Sequence, residues 1–385
     1  MIDLHELVYQ STRREMHTIV DEFQRSLVPG KERPFVDVLN EEWYTKYGPQ
    51  SDLSYTGPLS FAHIPYAKCL EDASHAFDIA LLGFPFDTTT SYRPGARFGP
   101  QAIRLGSGHA GYTLAWGSGP FDFGARIMDC GDVPVTPMDN AKAIDQMQVA
   151  YSTLLARPVH GETKSRTAAL AKDGKEHPRI ITLGGDHTIV LPILRSLHKV
   201  YGPVSVIHFD AHFDTAAVEG RADQERISHG SYFTIAAEEH LMTNTSIHAG
   251  IRQKMGAGPA TVEHDESLGF TVISTEDIDD YGIQSVIQRI RDRVGTGAVY
   301  LSLDIDVIDP GMAPATGTPE VGGWTTREVK RILRGLAGLN FVGCDIVEVA
   351  PAYDQAEITS RAAAGIVSDF FQMMQVEGPP EPHVL

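Results

Sequence analysis

Three short stretches of this sequence concentrate residues that can hold a cation: Gly184-Gly185-Asp186-His187, Asp210-Ala211-His212-Phe213-Asp214 and Asp304-Ile305-Asp306. Asp210, His212 and Asp214 recur at a spacing of two, so an extended segment points all three side chains the same way. Asp304 and Asp306 repeat the spacing. Leaving Asp186 aside, the candidate metal ligands are His187, Asp210, His212, Asp214, Asp304 and Asp306. Four carboxylates brought together raise one another's pKa and resist burial, so the set demands positive charge. Two divalent cations would supply it. Such a pair lowers the pKa of a shared water to roughly neutral and so makes a nucleophile. Carboxylate and imidazole donors without thiolate suit Mn2+ first, then Ni2+, Co2+ or Zn2+. Any one of these aspartates reads equally well as a helix cap or turn residue. The six together do not, because capping has no use for histidines interleaved at this spacing.

Each stretch follows a short apolar run, and similar runs recur along the chain: Asp78 to Gly83, Arg126 to Asp129, Arg179 to Gly184, Val204 to Phe209, Ser246 to Gly250, Phe270 to Ser274, Val299 to Leu303 and Phe341 to Val347. Near-continuous apolar strands of this kind are buried on both faces, which means a parallel sheet. Amphipathic patterns such as Ile283 to Val294 and Thr326 to Leu336 lie between them and predict helices. The expected fold is therefore α/β, a three-layer α/β/α sandwich around a mostly parallel sheet of about eight strands. In such a sheet ligands bind beyond the carboxyl ends of the strands, where the candidate ligands fall. Residues 1–75 read differently, with irregular polar text punctuated by Pro34, Gly48-Pro49 and Gly57-Pro58. They are expected to form an extension that packs on the body or on a neighbouring subunit, with the catalytic domain spanning 76–385. The polar, Lys-rich stretch from Arg157 to Pro178 is expected as a surface insertion.

The chain of 385 residues carries a formal net charge of -18, which makes nucleic acid and anionic membrane poor partners and favours a cationic small molecule. No stretch reaches the length of an apolar membrane span and Met1 to Asp21 lacks a leader pattern, so a cytoplasmic location is expected. Cys69, Cys130 and Cys344 are far apart and odd in number, and they read as unpaired buried thiols in a reducing compartment.

The three ligand stretches, extended to Gly184-Gly185-Asp186-His187-Thr188, Asp210 to Asp214, and the run from Ser302 to Pro319, resemble the signature blocks of the arginase/agmatinase (ureohydrolase) family. The likeness covers the chain from about Asp78 onward, with supporting blocks at Arg93 to Pro100 and Asp345 to Val349. It implies an amidinohydrolase that cleaves urea from a guanidino compound by attack of a metal-bridging hydroxide. By the same resemblance one ion takes His187, Asp210, Asp214 and Asp304, and the other takes His212, Asp210, Asp304 and Asp306, so that Asp210 and Asp304 bridge. Glu348 becomes the carboxylate that receives the planar guanidinium in a two-point pair, and His229 the proton shuttle to the leaving amine. Glu348, His229 and Asp214 form the implied catalytic set, and Thr318 lines the guanidine end. Trimers or hexamers are the oligomers the family implies. His208 shares the parity of Asp210 but lies two residues deeper, so it is expected in the core or behind the ligands.

Thr215-Ala216-Ala217-Val218 lacks the Asn and Ser cluster with which arginases hold an α-amino acid, and the Ser91 to Pro100 block resembles the agmatinase-like branch. The expected substrate is 4-guanidinobutyrate or agmatine, with guanidine or arginine as alternatives. Arg221 and Arg226 stand as candidate cations for a distal carboxylate, and equally as solvated surface residues. Of the other classes, a two-metal phosphoesterase lacks a Gly-rich cradle or Arg cluster beside the ligands. A single-zinc deacetylase is disfavoured by the second aspartate pair, and a non-catalytic metal-binding homologue by the presence of all six ligands.

Overall fold

The eight apolar runs form eight strands: β1 (Ile79–Phe84), β2 (Ile127–Asp132), β3 (Arg179–Gly184), β4 (Ser205–Phe209), β5 (Ser246–Ile251), β6 (Phe270–Ser274), β7 (Val299–Asp304) and β8 (Phe341–Val347). They join in one sheet in the order β2-β1-β3-β8-β7-β4-β5-β6, and every pairing is parallel. This computed structural model describes residues 42–50, 59–108, 111–161, 167–222 and 225–381. The first 41 residues of the expected extension lie outside the described residues.

Alternation along each strand divides the core between the two faces of the sheet. On one side Ile79, Leu81, Ile181, Leu183, Ile207 and Phe209 pack with residues of α2 (Gly99–Gly106), α8 (Ile283–Val294), α9 (Thr326–Leu336) and α10 (Ile358–Met373). On the other, Ala80, Leu82, Phe84, Ile180 and Val206 meet α3 (Asn140–Leu155), α4 (Val190–Tyr201) and α5 (Tyr232–Glu238). The remaining helices are α1 (Trp43–Tyr47), α6 (Pro259–Ser267) and α7 (Asp277–Tyr281). Helix α9 starts in a full capping box, with Thr325 and Glu328 each bonding the other's backbone N–H. The three layers are thus a sheet between two sets of helices, as in an arginase-like sandwich.

Between α2 and the sheet, Arg104 is buried and spans Asp129 and Asp132 of β2, with Nε 2.8 Å from Asp129 Oδ2 and Nη1 2.6 Å from Asp132 Oδ1. The segment before β1 runs back along this strand. Phe61 N–H donates to Asp129 Oδ2 at 2.8 Å, Ala67 N–H donates to Asp129 O at 3.0 Å, and Gln50 Nε2 donates to the carbonyls of Cys130 and Asp132. That path sets Cys69 beside Cys130, and the two form a disulfide across 61 residues of sequence. The expectation of unpaired thiols is corrected here, and Cys344 alone stays a buried free thiol. Spacing in sequence concealed the pair because an irregular segment, not an element, brings the two together. The stretch from Arg157 to Pro178 is tied down at both ends of its described parts: His160 N–H donates to Asp78 Oδ1 and Lys172 N–H to Val200 O. Among the described residues no helix is long and apolar enough to cross a membrane.

The disulfide gives a direct test. Denatured without reductant, the chain should take one alkyl group by mass spectrometry, at Cys344, and three after reduction. Cys69→Ser should lower unfolding stability by about 2–4 kcal/mol in denaturant titration.

Candidate metal centre and active site

Strands β3, β8, β7 and β4 stand side by side in the middle of the sheet, and each delivers functional side chains at its carboxyl end. β3 leads to Asp186 and His187, β4 to Asp210, β7 ends on Asp304, and β8 leads to Glu348. Beyond β3, Gly185 permits a close crossing, since a Cβ there would lie 1.9 Å from Phe86 O. Asp186 then caps the following turn through Thr188 N–H.

The six candidate ligands come together in two groups that share Asp210. In the first, His187 Nδ1 lies 3.0 Å from Asp210 Oδ2, 3.1 Å from Asp214 Oδ2 and 3.4 Å from Asp304 Oδ2. In the second, His212 Nδ1 lies 3.2 Å from Asp210 Oδ1 and 3.0 Å from Asp306 Oδ2. Asp304 reaches the first group with Oδ2 and turns Oδ1 to the N–H of Asp306 at 2.7 Å.

One regularity runs through the acids. Asp210 Oδ1 accepts from His212 N–H at 2.6 Å, Asp306 Oδ1 from Ala211 N–H at 3.0 Å, and Glu348 Oε1 from His187 N–H at 2.8 Å. A backbone donor thus anchors one oxygen of each of these three carboxylates. The other oxygens, Asp210 Oδ2, Asp306 Oδ2 and Glu348 Oε2, are buried without a hydrogen-bond partner, as is His187 Nδ1. Their close approach to one another is at hydrogen-bond distance without hydrogen-bond geometry. His187 is itself oriented from behind: Ser302 Oγ donates to Asp345 Oδ1 at 2.9 Å and lies 2.7 Å from His187 Nε2. Ser302 therefore accepts the Nε2 proton and leaves the Nδ1 lone pair facing the acids.

The electrostatics agree. Burial pushes Asp304 well above the usual carboxylate range, with Asp306 and Asp210 adding to the rise. Burial and then Asp210 likewise raise Asp306 and Asp214. Burial opposes the charge on Asp210 as well, but His208, His187 and His212 hold it low. Burial disfavours His212 as a cation, yet Asp306 and Asp210 push it to about 12. Acids and imidazoles raised together report one uncompensated negative potential between the two groups. Orphaned oxygens, a free imidazole lone pair and that potential fit divalent cations held by oxygen and nitrogen.

His208 is fully buried behind Asp210, with Nε2 3.0 Å from Asp210 Oδ2 and Nδ1 2.7 Å from His248 Nδ1. Burial pulls its pKa down to about 3, so it is a neutral imidazole. Glu348 is 1% exposed, and its Oε1 sits 3.1 Å from His229 Nδ1. The far side of His229 meets Ser91, whose N–H and Oγ lie 2.9 and 2.8 Å from Nε2. Burial would lower the His229 pKa, but the hydrogen bond and charge of Glu348, with Asp214 and Asp186, raise it to about 9. Asp186, raised to about 7 by burial and Glu348, accepts from Thr89 N–H and Oγ1 and so pins the loop that carries Ser91.

A cavity of about 580 Å3 opens onto this centre, lined by Ser91, His212, Asp214, His229, Asp304 and Thr318 at the chemistry and by Ala216, Ala217, Gln253, Ala257, Ala260, Thr261 and His264 elsewhere. Neither Arg221 nor Arg226 is among its walls, and Arg226 is held by Glu238 at 2.6 Å. Sequence reasoning left Ser91, Asp186, Ser302 and Asp345 without roles. Ser302 could have been found, because it extends the spacing of two that Asp304 and Asp306 share.

The chain matches the Arginase family profile over residues 77–372. It is 52% identical over 334 residues to "Putative agmatinase 1" of Schizosaccharomyces pombe, covering 84% of each chain. It is 38% identical to a guanidinobutyrase of Pseudomonas aeruginosa over 294 residues, 76% of this chain and 85% of that one. Among solved structures, the proclavaminate amidino hydrolase from Streptomyces clavuligerus superposes with a TM-score of 0.71 at 34% identity, over 83% of this chain and 98% of that one. With a profile that spans the whole sheet and all four strand ends that build the centre, the chain belongs to the arginase family.

Proposed function

We propose that this chain is a binuclear-metal amidinohydrolase that releases urea from a small guanidino compound. Its class is hydrolase of C–N bonds in linear amidines, in keeping with the agmatinase and guanidinobutyrase names of its relatives. The observation that carries the substrate class is Glu348 Oε2, a buried carboxylate oxygen with no partner, beside the ligand cluster and under His229. A planar guanidinium is the ligand that two carboxylate oxygens recognise in a parallel pair.

When bound, two divalent ions supply Lewis-acid polarisation and a water acidic enough to attack at neutral pH. Mn2+ is the first candidate on donor chemistry, with Ni2+, Co2+ or Zn2+ behind it. His187, Asp210, Asp214 and Asp304 would hold one ion, and His212, Asp210 and Asp306 with Asp304 the other. Glu348 takes the guanidinium in exchange for its contact with His229 and orients the central carbon toward the cluster, replacing a bimolecular encounter with a fixed geometry. His229, then held by Ser91, carries the proton for the leaving amine. Thr318 closes the guanidine end of the cavity.

The cavity walls bear on the tail of the substrate. Among the described residues no Lys or Arg lines the cavity, so a tail carboxylate such as that of 4-guanidinobutyrate meets no cation there. Net charge of -18 favours a cationic ligand at long range. Agmatine is therefore the preferred substrate, ahead of 4-guanidinobutyrate, arginine and guanidine. Urea release by the Mn2+-loaded protein over these four compounds should rank agmatine first in kcat/KM, and a ranking led by 4-guanidinobutyrate would refute the reading of the walls.

Glu348→Gln keeps an acceptor for the His187 N–H but removes the charge and one acceptor from the guanidinium. It should lower kcat/KM by about 2–5 kcal/mol, roughly thirtyfold to several-thousandfold, with metal content unchanged. Loss of metal, or near-normal kcat/KM, would dismiss the clamp.

His229 sets the alkaline limb. Its folded pKa of about 9 exceeds the 6.5 of the free side chain, so its contribution to stability is full below 6.5 and is lost as pH rises through about 9. The proton it delivers disappears over the same window. kcat/KM should fall with an apparent pKa near 9, and His229→Asn should lower kcat on the order of 10²–10⁴-fold and abolish that limb. A limb that persists in the variant would assign the titration elsewhere.

A further inference from the structure

Behind the ligands lies a chain of buried polar groups that the chemistry above does not use. Tyr232 OH lies 3.4 Å from His208 Nε2, His208 Nδ1 lies 2.7 Å from His248 Nδ1, and His248 Nε2 lies 3.0 Å from Asp265 Oδ1. Thr215 Oγ1 donates to the same Asp265 oxygen at 3.0 Å. Tyr232, His208, His248 and Asp265 are each 0% exposed and Thr215 is 3% exposed. His248 is stacked on Phe270 with ring centroids 3.9 Å apart and has Phe213 and Phe233 at its edges, so no water competes for its nitrogens.

The two imidazoles face each other through Nδ1 and share one proton there, so the chain is read from the acid that ends it. His248 Nε2–H donates to Asp265. Asp265 is the acceptor at which everything ends. It sits on α6, outside the three strands that carry the ligands, and it grips both ends of a closed path. One arm, through Thr215, holds the residue next to Asp214, whose backbone is in the left-handed region at φ 57°. The other, through His248 and His208, backs Asp210, since His208 Nε2 is 3.0 Å from Asp210 Oδ2. Asp210 and Asp214 are two of the three acids around His187 Nδ1.

We infer that Asp265 is a positioning residue which, through Thr215 on one side and His248–His208 on the other, fixes the separation of Asp210 and Asp214 and thereby the affinity of the His187-side metal ion. The inference rests on the two-ion reading above. It predicts an asymmetry in the Thr215 arm, because Asp214 stands in the His187 group alone whereas Asp210 is shared by both groups. Residues that orient a ligand from behind typically change metal affinity 10–100-fold when altered.

The experiment uses the full chain, stripped by chelation and titrated with Mn2+ while free ion is followed by electron paramagnetic resonance. Wild type should take up two ions, and a single ion at saturation would overturn the two-ion reading itself. Thr215→Val keeps the side-chain shape and deletes only the donor to Asp265. It should weaken one ion roughly tenfold or more and leave the other within about twofold, with the melting temperature of the stripped chain little changed. Thr215→Ser restores the hydroxyl and should restore the affinity. Asp265→Asn should weaken the same ion, and adding Thr215→Val to it should do little more, since both act through one oxygen. The affected ion is identified by background: Thr215→Val should weaken the ion that remains in His212→Ala and leave unaltered the one that remains in His187→Ala. Equal weakening of both ions, no weakening in Thr215→Val, or a loss that serine does not rescue would overturn the positioning role and leave Asp265 as a fold-stabilising acid only.

Discussion

Like charge is the constraint on which the rest of this structure depends. Asp210, Asp214, Asp304, Asp306 and Glu348 are gathered at the ends of three adjacent parallel strands, and four of the five are no more than 3% exposed. A carboxylate in such a place is stable only if something positive or hydrogen-donating meets it. The chain answers in two ways at once. Backbone N–H groups of Ala211, His212, Asp306 and His187 each meet one oxygen, and in Asp210, Asp304 and Asp306 an imidazole approaches the other. That division makes a directional centre out of a mere acid cluster: the anchored oxygens fix the carboxylates, and the unanchored ones aim inward.

Holding that arrangement requires backbone that most residues avoid. Asp214 and Glu348 have φ of 57° and 61°, in the left-handed region, at the two points where the chain leaves the sheet to place an acid. Each such residue costs on the order of 1–3 kcal/mol and persists only where the surroundings dictate it. Here the sheet dictates it. Glu348 N–H is bonded to Gly185 O at 2.9 Å, so the turn after β8 is locked to the turn after β3. Gly185 can occupy that place because it has no Cβ to collide with Phe86 O. In register, Asp345 of β8 lies between Thr182 of β3 and Ser302 of β7, and the Ser302 hydroxyl it accepts from reaches His187. Orientation is thus transmitted across neighbouring strands.

The period of apolar residues made the sheet legible: Phe270 to Ser274 and Phe341 to Val347 are strands with the bounds the runs suggest, and Ile283 to Val294 and Thr326 to Leu336 are helices with theirs. The ligand stretches stood out because a spacing of two survives unaltered from sequence to extended backbone. What could not be read is whatever depends on contact between distant segments. Ser91 reaches His229 across 138 residues, and Asp265 reaches His248 from a helix whose sequence has no amphipathic pattern to mark one buried acid. The Cys69–Cys130 bridge was hidden for the same reason, since the segment that closes it has no periodicity at all. Arg226 illustrates the converse. Its place in the loop before His229 left a role toward substrate and a solvated surface position equally open, and Glu238 on α5 pairs with it at the surface.

The proposed chemistry also follows from a single competition. Glu348 Oε1 faces His229, which is why that imidazole stays protonated to about 9, and Oε2 faces nothing. A guanidinium that pairs with both oxygens competes with His229 for Oε1, which already accepts from the His187 N–H. His229 then keeps only its contacts with Ser91, on a loop that Asp186 secures through Thr89. Its pKa must fall once the carboxylate charge is shared, and a falling pKa is what turns a stored proton into a deliverable one. In this proposal substrate recognition and proton release are one event at one carboxylate. A neutral ligand would leave the proton where it is, however well it filled the cavity.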